Sequence, residues 1–273
     1  MLEQLTYINH LNETLEFGQG KLFVNENDLR NFSWEITSKN NKISGFKRGI
    51  VAKTIPLIIV CDSEEEGTTL KNKVFEVFEK DVLAIRHGKI AIGDYYLKCY
   101  VTESTKAEYL THKGYMRLSI KISTDSSFWI REISSTFNYG TGKSGKNLDY
   151  RRDFPSDYTS NLAGKILENP HFVASNFRIH IYGTCENPRI TVAGHKYEIL
   201  VSVEKNEYLT IDSVNKTVFV THSDGTKTNM FNKRNKDSYI FEKIPAGQSN
   251  VSSSGPFKFD IILLEERSEP KWT

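Results

Sequence analysis

Met116-Arg117-Leu118-Ser119-Ile120-Lys121-Ile122 places an apolar side chain at every second position and a polar one between. Successive side chains of a strand point to opposite faces, so this period of two predicts a strand with one face buried and one wetted. The same alternation returns in Phe177, Ile179 and Ile181, set between Arg178, His180 and Tyr182, and again in Phe257, Phe259, Ile261 and Leu263. Phe32, Trp34 and Ile36 alternate with Asn31, Ser33 and Glu35, which predicts another half-buried strand, with turn residues Asn40 and Asn41 beyond it. Ile55 to Val60 is apolar on both faces and reads as a central strand. Pro56 is then expected at its start or at an edge, because it cannot donate to a ladder.

Turn signals pair these strands. Lys89 to Ile92 and Tyr95 to Val101 flank Gly93-Asp94, the layout of a tight hairpin. Arg189 to Val192 and Tyr197 to Val201 flank Ala193-Gly194-His195, and Tyr208 to Ile211 precedes Thr217 to Val220 across Asp212, Ser213 and Asn215. Ser223-Asp224-Gly225 marks one more turn. Short strands with turns every ~8–12 residues are the signature of a β-sandwich. A single segment breaks the pattern. Leu70, Val74, Val77, Phe78 and Val82 fall on one face of a helix between Ser63 and Val82. Ser63 with Glu66 forms a candidate capping box, Thr68 is the other candidate cap, and Glu64, Glu65 and Glu66 suit the positive end of the helix dipole.

At 273 residues the chain exceeds the size at which one core usually stops growing, so two domains are expected. Periodicity fails from Asn138 to Gly164, where four glycines, Pro155, Tyr139, Tyr150, Tyr158 and Phe154 mix with charges. Unstructured loops of that length are uncommon inside a compact domain. The expected division is an N-terminal β-sandwich with one helix and a hairpin over 1–140, a linker over 141–163, and a second β-sandwich over 164–273.

Composition and spacing then exclude function classes. Residues 1–140 hold 18 basic and 18 acidic side chains, and the remainder 18 and 16, so neither half has the excess that neutralises a phosphate backbone; no nucleic-acid partner is expected. The polar, acidic N-terminus lacks the apolar core of a secretion signal, and no stretch nears the ~20 apolar residues that span a bilayer. A soluble protein made in a cytoplasm, without membrane partners, is expected. Cys61, Cys99 and Cys185 are too widely spaced for a disulfide framework or a structural zinc site, and read as free thiols. His10, His87, His112, His171, His180, His195 and His222 show no metal-ligand spacing. Gly140 to Asn147 matches G-x-x-x-x-G-K, but Asn147 stands where a P-loop needs Ser or Thr, and Asp149 to Pro155 is no amphipathic helix. A linker is the simpler reading. Lys233-Arg234-Asn235-Lys236 reads as a solvated hairpin tip, and no G-x-S-x-G elbow anchors a hydrolase. The C-terminal half has one Trp, Trp272, so a sugar platform lacks support, although a carbohydrate- or receptor-binding module is the competing class. No catalytic, cofactor-binding or metal-binding residues and no cofactor are assigned, the oligomer interface is left open, and the expectation is a protein that is not an enzyme.

Asn187-Pro188, Tyr208 to Asp212, Ile244-Pro245-Ala246-Gly247 and the ending from Phe257 to Arg267 with Pro270 and Trp272 resemble the second domain of the distal tail proteins of long-tailed phages. The first half resembles that family less sharply, through Ile55-Pro56-Leu57, the acidic-capped helix and the hairpin after it. One departure is Ser253, where the family pattern would place an aromatic before the Gly255 turn. The resemblance implies a ring-forming N-terminal sandwich and a galectin-like C-terminal sandwich, without catalytic residues. It further implies a virion-tail location and a homo-oligomeric, usually hexameric ring between the tail tube protein and the baseplate or other tail-associated proteins. Likeness of fold to galectins does not carry sugar binding with it.

Overall fold

The computed structural model describes residues 4–18, 20–24, 26–106, 114–138 and 166–272. The expected linker 141–163 and the glycine-rich Gly140 to Asn147 therefore lie outside the described residues. Two compact units are present, one formed by Met1–Arg131 with Glu266–Thr273 and the other by Glu132–Glu265. The dividing point thus falls before residue 140, and the last residues of the chain group with the first unit, not the second.

The first unit contains β1 (Leu5–Ile8), β2 (Thr14–Phe17), β3 (Leu22–Val24), β4 (Glu35–Lys39), β5 (Lys42–Lys47), β6 (Val51–Val60), α1 (Glu64–Ala84), β7 (Gly88–Ile92), β8 (Tyr95–Lys106), β9 (Tyr115–Thr124) and the start of β10 (Trp129–Asn138). The pairings between these strands are antiparallel among the described residues. β2, β1, β7 and β8 form one run and β3, β6, β9 and β8 another, so the long β8 serves both: Tyr95 to Cys99 pair with β7 and Tyr100 to Lys106 with β9. An irregularity between Val101 and Glu103 marks the changeover, the usual way a strand bends from one sheet to the next. Both runs feed one core, in which Tyr7, Phe17, Ile90 and Leu97 meet Ile55, Leu57, Ile59 and Ile120. β9 keeps the alternation read from sequence, with Met116, Leu118, Ile120 and Ile122 all buried.

Three local expectations change. β6 buries only alternate residues, so it is not apolar-covered on both faces, and Pro56 sits mid-strand opposite Ser119. That position is tolerated because the pairing with β3 ends at Leu57. The helix forms with Ser63 as its N-cap, accepting from the Glu66 backbone N–H, while Thr68 lies inside it. Glu66 reaches back to the Asp62 N–H, one residue before the cap that a capping box would satisfy. Val74, Val77 and Phe78 are buried, but Val82 is exposed.

The largest difference concerns Phe32, Trp34 and Ile36. They do not lie on a half-buried strand. Phe32 and Trp34 precede β4, Ile36 is within it, and all are exposed.

The second unit contains the rest of β10, then β11 (Ile166–Asn169), β12 (Asn176–Tyr182), β13 (Cys185–Glu186), β14 (Arg189–Val192), β15 (His195–Glu198), β16 (Ser202–Val203), β17 (Tyr208–Asp212), β18 (Thr217–Thr221), β19 (Lys227–Asn229), β20 (Gly247–Ser253) and β21 (Lys258–Arg267). One sheet runs β19-β18-β17-β12-β21 and the facing one β11-β20-β14-β15. Phe177, Ile179, Ile181, Leu209, Ile211 and Phe259 from the first meet Ile190, Val192, Tyr197 and Val251 from the second in a single core. This is a β-sandwich. His195 belongs to β15 opposite Val192, so the tight turn is Ala193-Gly194 alone. Ser253 makes its own turn, its hydroxyl donating to the Gly255 carbonyl at 2.7 Å. Lys233-Arg234 is not a hairpin tip: Phe231–Lys233 is one turn of 3-10 helix, and the Arg234 guanidinium lies over the Phe231 ring at 3.9 Å.

Candidate functional site

Chemistry needs a titratable group that is free to act, and several of the buried or half-buried ones here are committed to structure. Asp81 is fully buried on α1. The Tyr7 hydroxyl donates to its Oδ2 at 2.6 Å, the His10 backbone N–H donates to Oδ1 at 2.8 Å, and His10 Nδ1 lies 2.6 Å from Oδ1. Burial first, then Cys99 and the Asp81 carboxylate, push the Tyr7 hydroxyl far above its ordinary range. A phenol so raised is a hydrogen-bond donor and not an acid. In the second unit His222 Nδ1 meets Glu207 at 2.7 Å while its Nε2 meets Thr228 at 2.8 Å. His87 faces Asp125, His180 faces Thr210, and His195 faces the Tyr239 carbonyl. His112 lies outside the described residues. No three His, Cys, Asp or Glu side chains gather as a metal site among the described residues. No helix among them is long and apolar enough to cross a membrane, which says nothing of β-barrels.

An open depression of about 550 Å³ lies beside the start of α1, lined by Lys21, Ser63, Glu65, Glu66, Thr69 and Lys73, with Leu70. Lys21 bridges Asp62 at 2.7 Å and also pairs with Glu66, holding both carboxyl groups on the protein. The hydrogen bond from Lys21 keeps Glu66 below the usual carboxylate range. The acidic run at the helix start is therefore partly tied down, through Glu66.

What the first unit does expose is apolar surface. β4 and β5 form a two-stranded hairpin that pairs with no other strand among the described residues. Ile36 stands opposite Phe46 and Ser38 opposite Ile43, with an irregularity between Thr37 and Ser38. Trp34, Ile36, Ile43 and Phe46 thus share one face, because directly opposed residues of a ladder point the same way. Ile36 is 62% exposed and Phe46 59%. The base of this face is fixed. The Arg48 guanidinium lies 4.8 Å from the Trp34 and Phe128 rings, and its Nη1 donates to the Ser127 carbonyl at 2.6 Å. A second apolar patch closes α1, where Leu83 is 77% and Ile85 82% exposed beside Val82. Sequence alternation found Phe32, Trp34 and Ile36 but assigned them to a half-buried strand, and it did not single out Ile43 or Phe46. The signal against that was available: four basic residues, Lys39, Lys42, Lys47 and Arg48, crowd this short ribbon.

No protein-family model matches the chain, and no curated protein matches it by sequence. Solved structures do match it over nearly its whole length. A chain of the activated baseplate of phage P2 with calcium aligns with TM-score 0.63 and 14% identity, covering 99% of this chain and 100% of that one. The strontium form of that baseplate gives a TM-score of 0.64 at 14% identity and the same coverage. The SPP1 Dit protein, described as a paradigm of the hub adsorption apparatus in phages infecting Gram-positive bacteria, gives 0.59 at 8% identity, covering 96% of this chain and 99% of that one. Sequences this far apart share a fold and nothing finer: the chain has the mainly β, two-unit fold of these phage baseplate and hub proteins.

Proposed function

We propose that this protein is a structural subunit of a bacteriophage or prophage tail tip, in which copies of the chain close into a ring, hexameric by the family resemblance, that joins the tail tube to the baseplate. The whole-length likeness to baseplate and hub proteins carries the reading, since it spans both units and not one common sandwich. The titratable groups in bonds of the fold and the exposed apolar hairpin fit a protein that works by contact and not by catalysis. The partners are then further copies of the chain, the tail tube protein and baseplate proteins, and the place of work is the virion tail. The first unit forms the ring.

Light scattering of the full chain over rising concentration tests this. Growth to one discrete multiple of the chain mass supports it. Monomer at every concentration, together with saturable capture on a glycan array, would favour the carbohydrate-binding module instead.

A further inference from the structure

We infer that the ring contact is made by the β4–β5 hairpin of one copy laying its apolar face on the C-terminal end of α1 of the next copy. The inference rests on the reading above that copies of this chain assemble with one another, and it names the surfaces they use.

The hairpin is built to be covered. A lone two-stranded ribbon is marginal in water, yet this one presents Trp34, Ile36, Ile43 and Phe46 on one side. Surface apolar residues scattered singly need no explanation, whereas a contiguous set on one face does. Arg48 holds the base of the ribbon in place, so little order is lost on docking.

The helix end is the second half of the contact. Ile85 is its C-cap in the left-handed region, with φ 51 and ψ 43. Glycine or asparagine serves there at low cost, while a β-branched residue is strained. A strained isoleucine that also leaves its side chain 82% exposed gives the isolated chain nothing. Burial against another copy supplies a reason for it.

Charge decides which surfaces meet. Residues 35–48 hold Lys39, Lys42, Lys47 and Arg48 against Glu35 alone. At the end of α1 that the contact uses, Glu76 and Glu79 are exposed, Lys80 is paired with Glu13, and Arg86 follows. Hairpin on hairpin would oppose like charges. Hairpin on helix joins opposite signs, which suppresses the wrong pairings more than it adds affinity. A contact between two different patches is heterologous, the kind that repeats around a closed ring.

Mixed-copy cross-linking of the full chain tests the assignment, with Cys185→Ser in every preparation because Cys61 and Cys99 are buried. One preparation carries Ile43→Cys and the other Leu83→Cys. A short thiol-to-thiol cross-linker should join them in the mixture and neither alone, and a chain carrying both changes should give a covalent ladder. In parallel, Ile85→Gly should weaken association about tenfold or more, the loss of one buried apolar side chain being worth at least about 1.4 kcal/mol. Its melting temperature should hold or rise, because glycine relieves the left-handed cap. Assembly without cross-linking in the mixture, or cross-linking of like with like, overturns the hairpin-to-helix contact and leaves the ring standing. If no preparation assembles at any concentration, the ring reading itself fails and takes this contact with it.

Discussion

Tyr7 and Asp81 lie 74 positions apart in the chain and meet at 2.6 Å, hydroxyl to carboxylate, inside the first unit. The bond fastens β1 to the last turns of α1, and the Tyr7 ring packs edge-on against Phe78 at 4.9 Å on the same helix. A buried carboxylate is tolerated only when its oxygens are answered, and here His10 answers the other one. The helix that carries the proposed contact is therefore held by a polar anchor within an apolar interface.

Removing the carboxylate strands its donors. Asp81→Ala should destabilise the first unit by about 3 kcal/mol, and Tyr7→Phe by about 1–2 kcal/mol, since the truncated partner leaves a buried group unpaired. Urea unfolding of both single variants and the double checks this. A double-variant loss well below the sum of the singles is the expected sign of a shared bond.

Gly88 gives a steric version of the same test. A Cβ there would lie 2.2 Å from Asp81 Oδ2 and 2.3 Å from the Tyr7 hydroxyl oxygen. Gly88→Ala should cost about 1–3 kcal/mol by overpacking. In an Asp81→Ala background only part of that penalty should vanish, because the Tyr7 hydroxyl and its Cζ, at 2.6 Å, still crowd the added methyl. An unchanged penalty would mean the clash lies elsewhere.

The thiols should sort by burial. Burial pushes Cys185 up to about 11 and raises Cys99 further, helped by the Asp81 charge and opposed by the Ile90 backbone bond. Only the thiolate is alkylated, so the native Cys185 rate should climb roughly tenfold per pH unit and still be rising at pH 9. Cys99 should react only on unfolding. Mass mapping of alkylated peptides reads both, and a Cys185 rate that levels near pH 8.5 would contradict the assignment.

Glu207 supplies the acid-side prediction. Its hydrogen bond to His222 comes first among the causes that hold it below its ordinary 4.5. A depressed carboxylate binds fewer protons folded than unfolded, so its contribution to stability is full above 4.5 and fades as pH falls through the depressed value. Carbon-detected NMR titration should place its midpoint below 4.5 and move it upward in His222→Ala.

The sequence made most of the sheet framework legible, because alternation is a direct consequence of one-sided burial. Met116 to Ile122 and Phe177 to Ile181 show it plainly. Ser63 and its acidic neighbours marked the helix start for the same kind of reason, since the orphan N–H groups demand an acceptor. Alternation does not say what covers the apolar face. Phe32, Trp34 and Ile36 follow the rule of a core strand while facing outward, and only the fold shows that no element of the described chain lies over them. Asp81 was illegible for a different reason. Its partners Tyr7 and His10 are distant in sequence, and no local pattern announces a long-range hydrogen bond.

Electron microscopy of the purified full chain, negatively stained at the highest concentration that stays dispersed, shows whether copies close into a ring. Closed rings of one fixed copy number, lost in Ile36→Ser/Phe46→Ser, are the expected result. A field of separate single-chain particles at every concentration, unchanged by those substitutions, would contradict it.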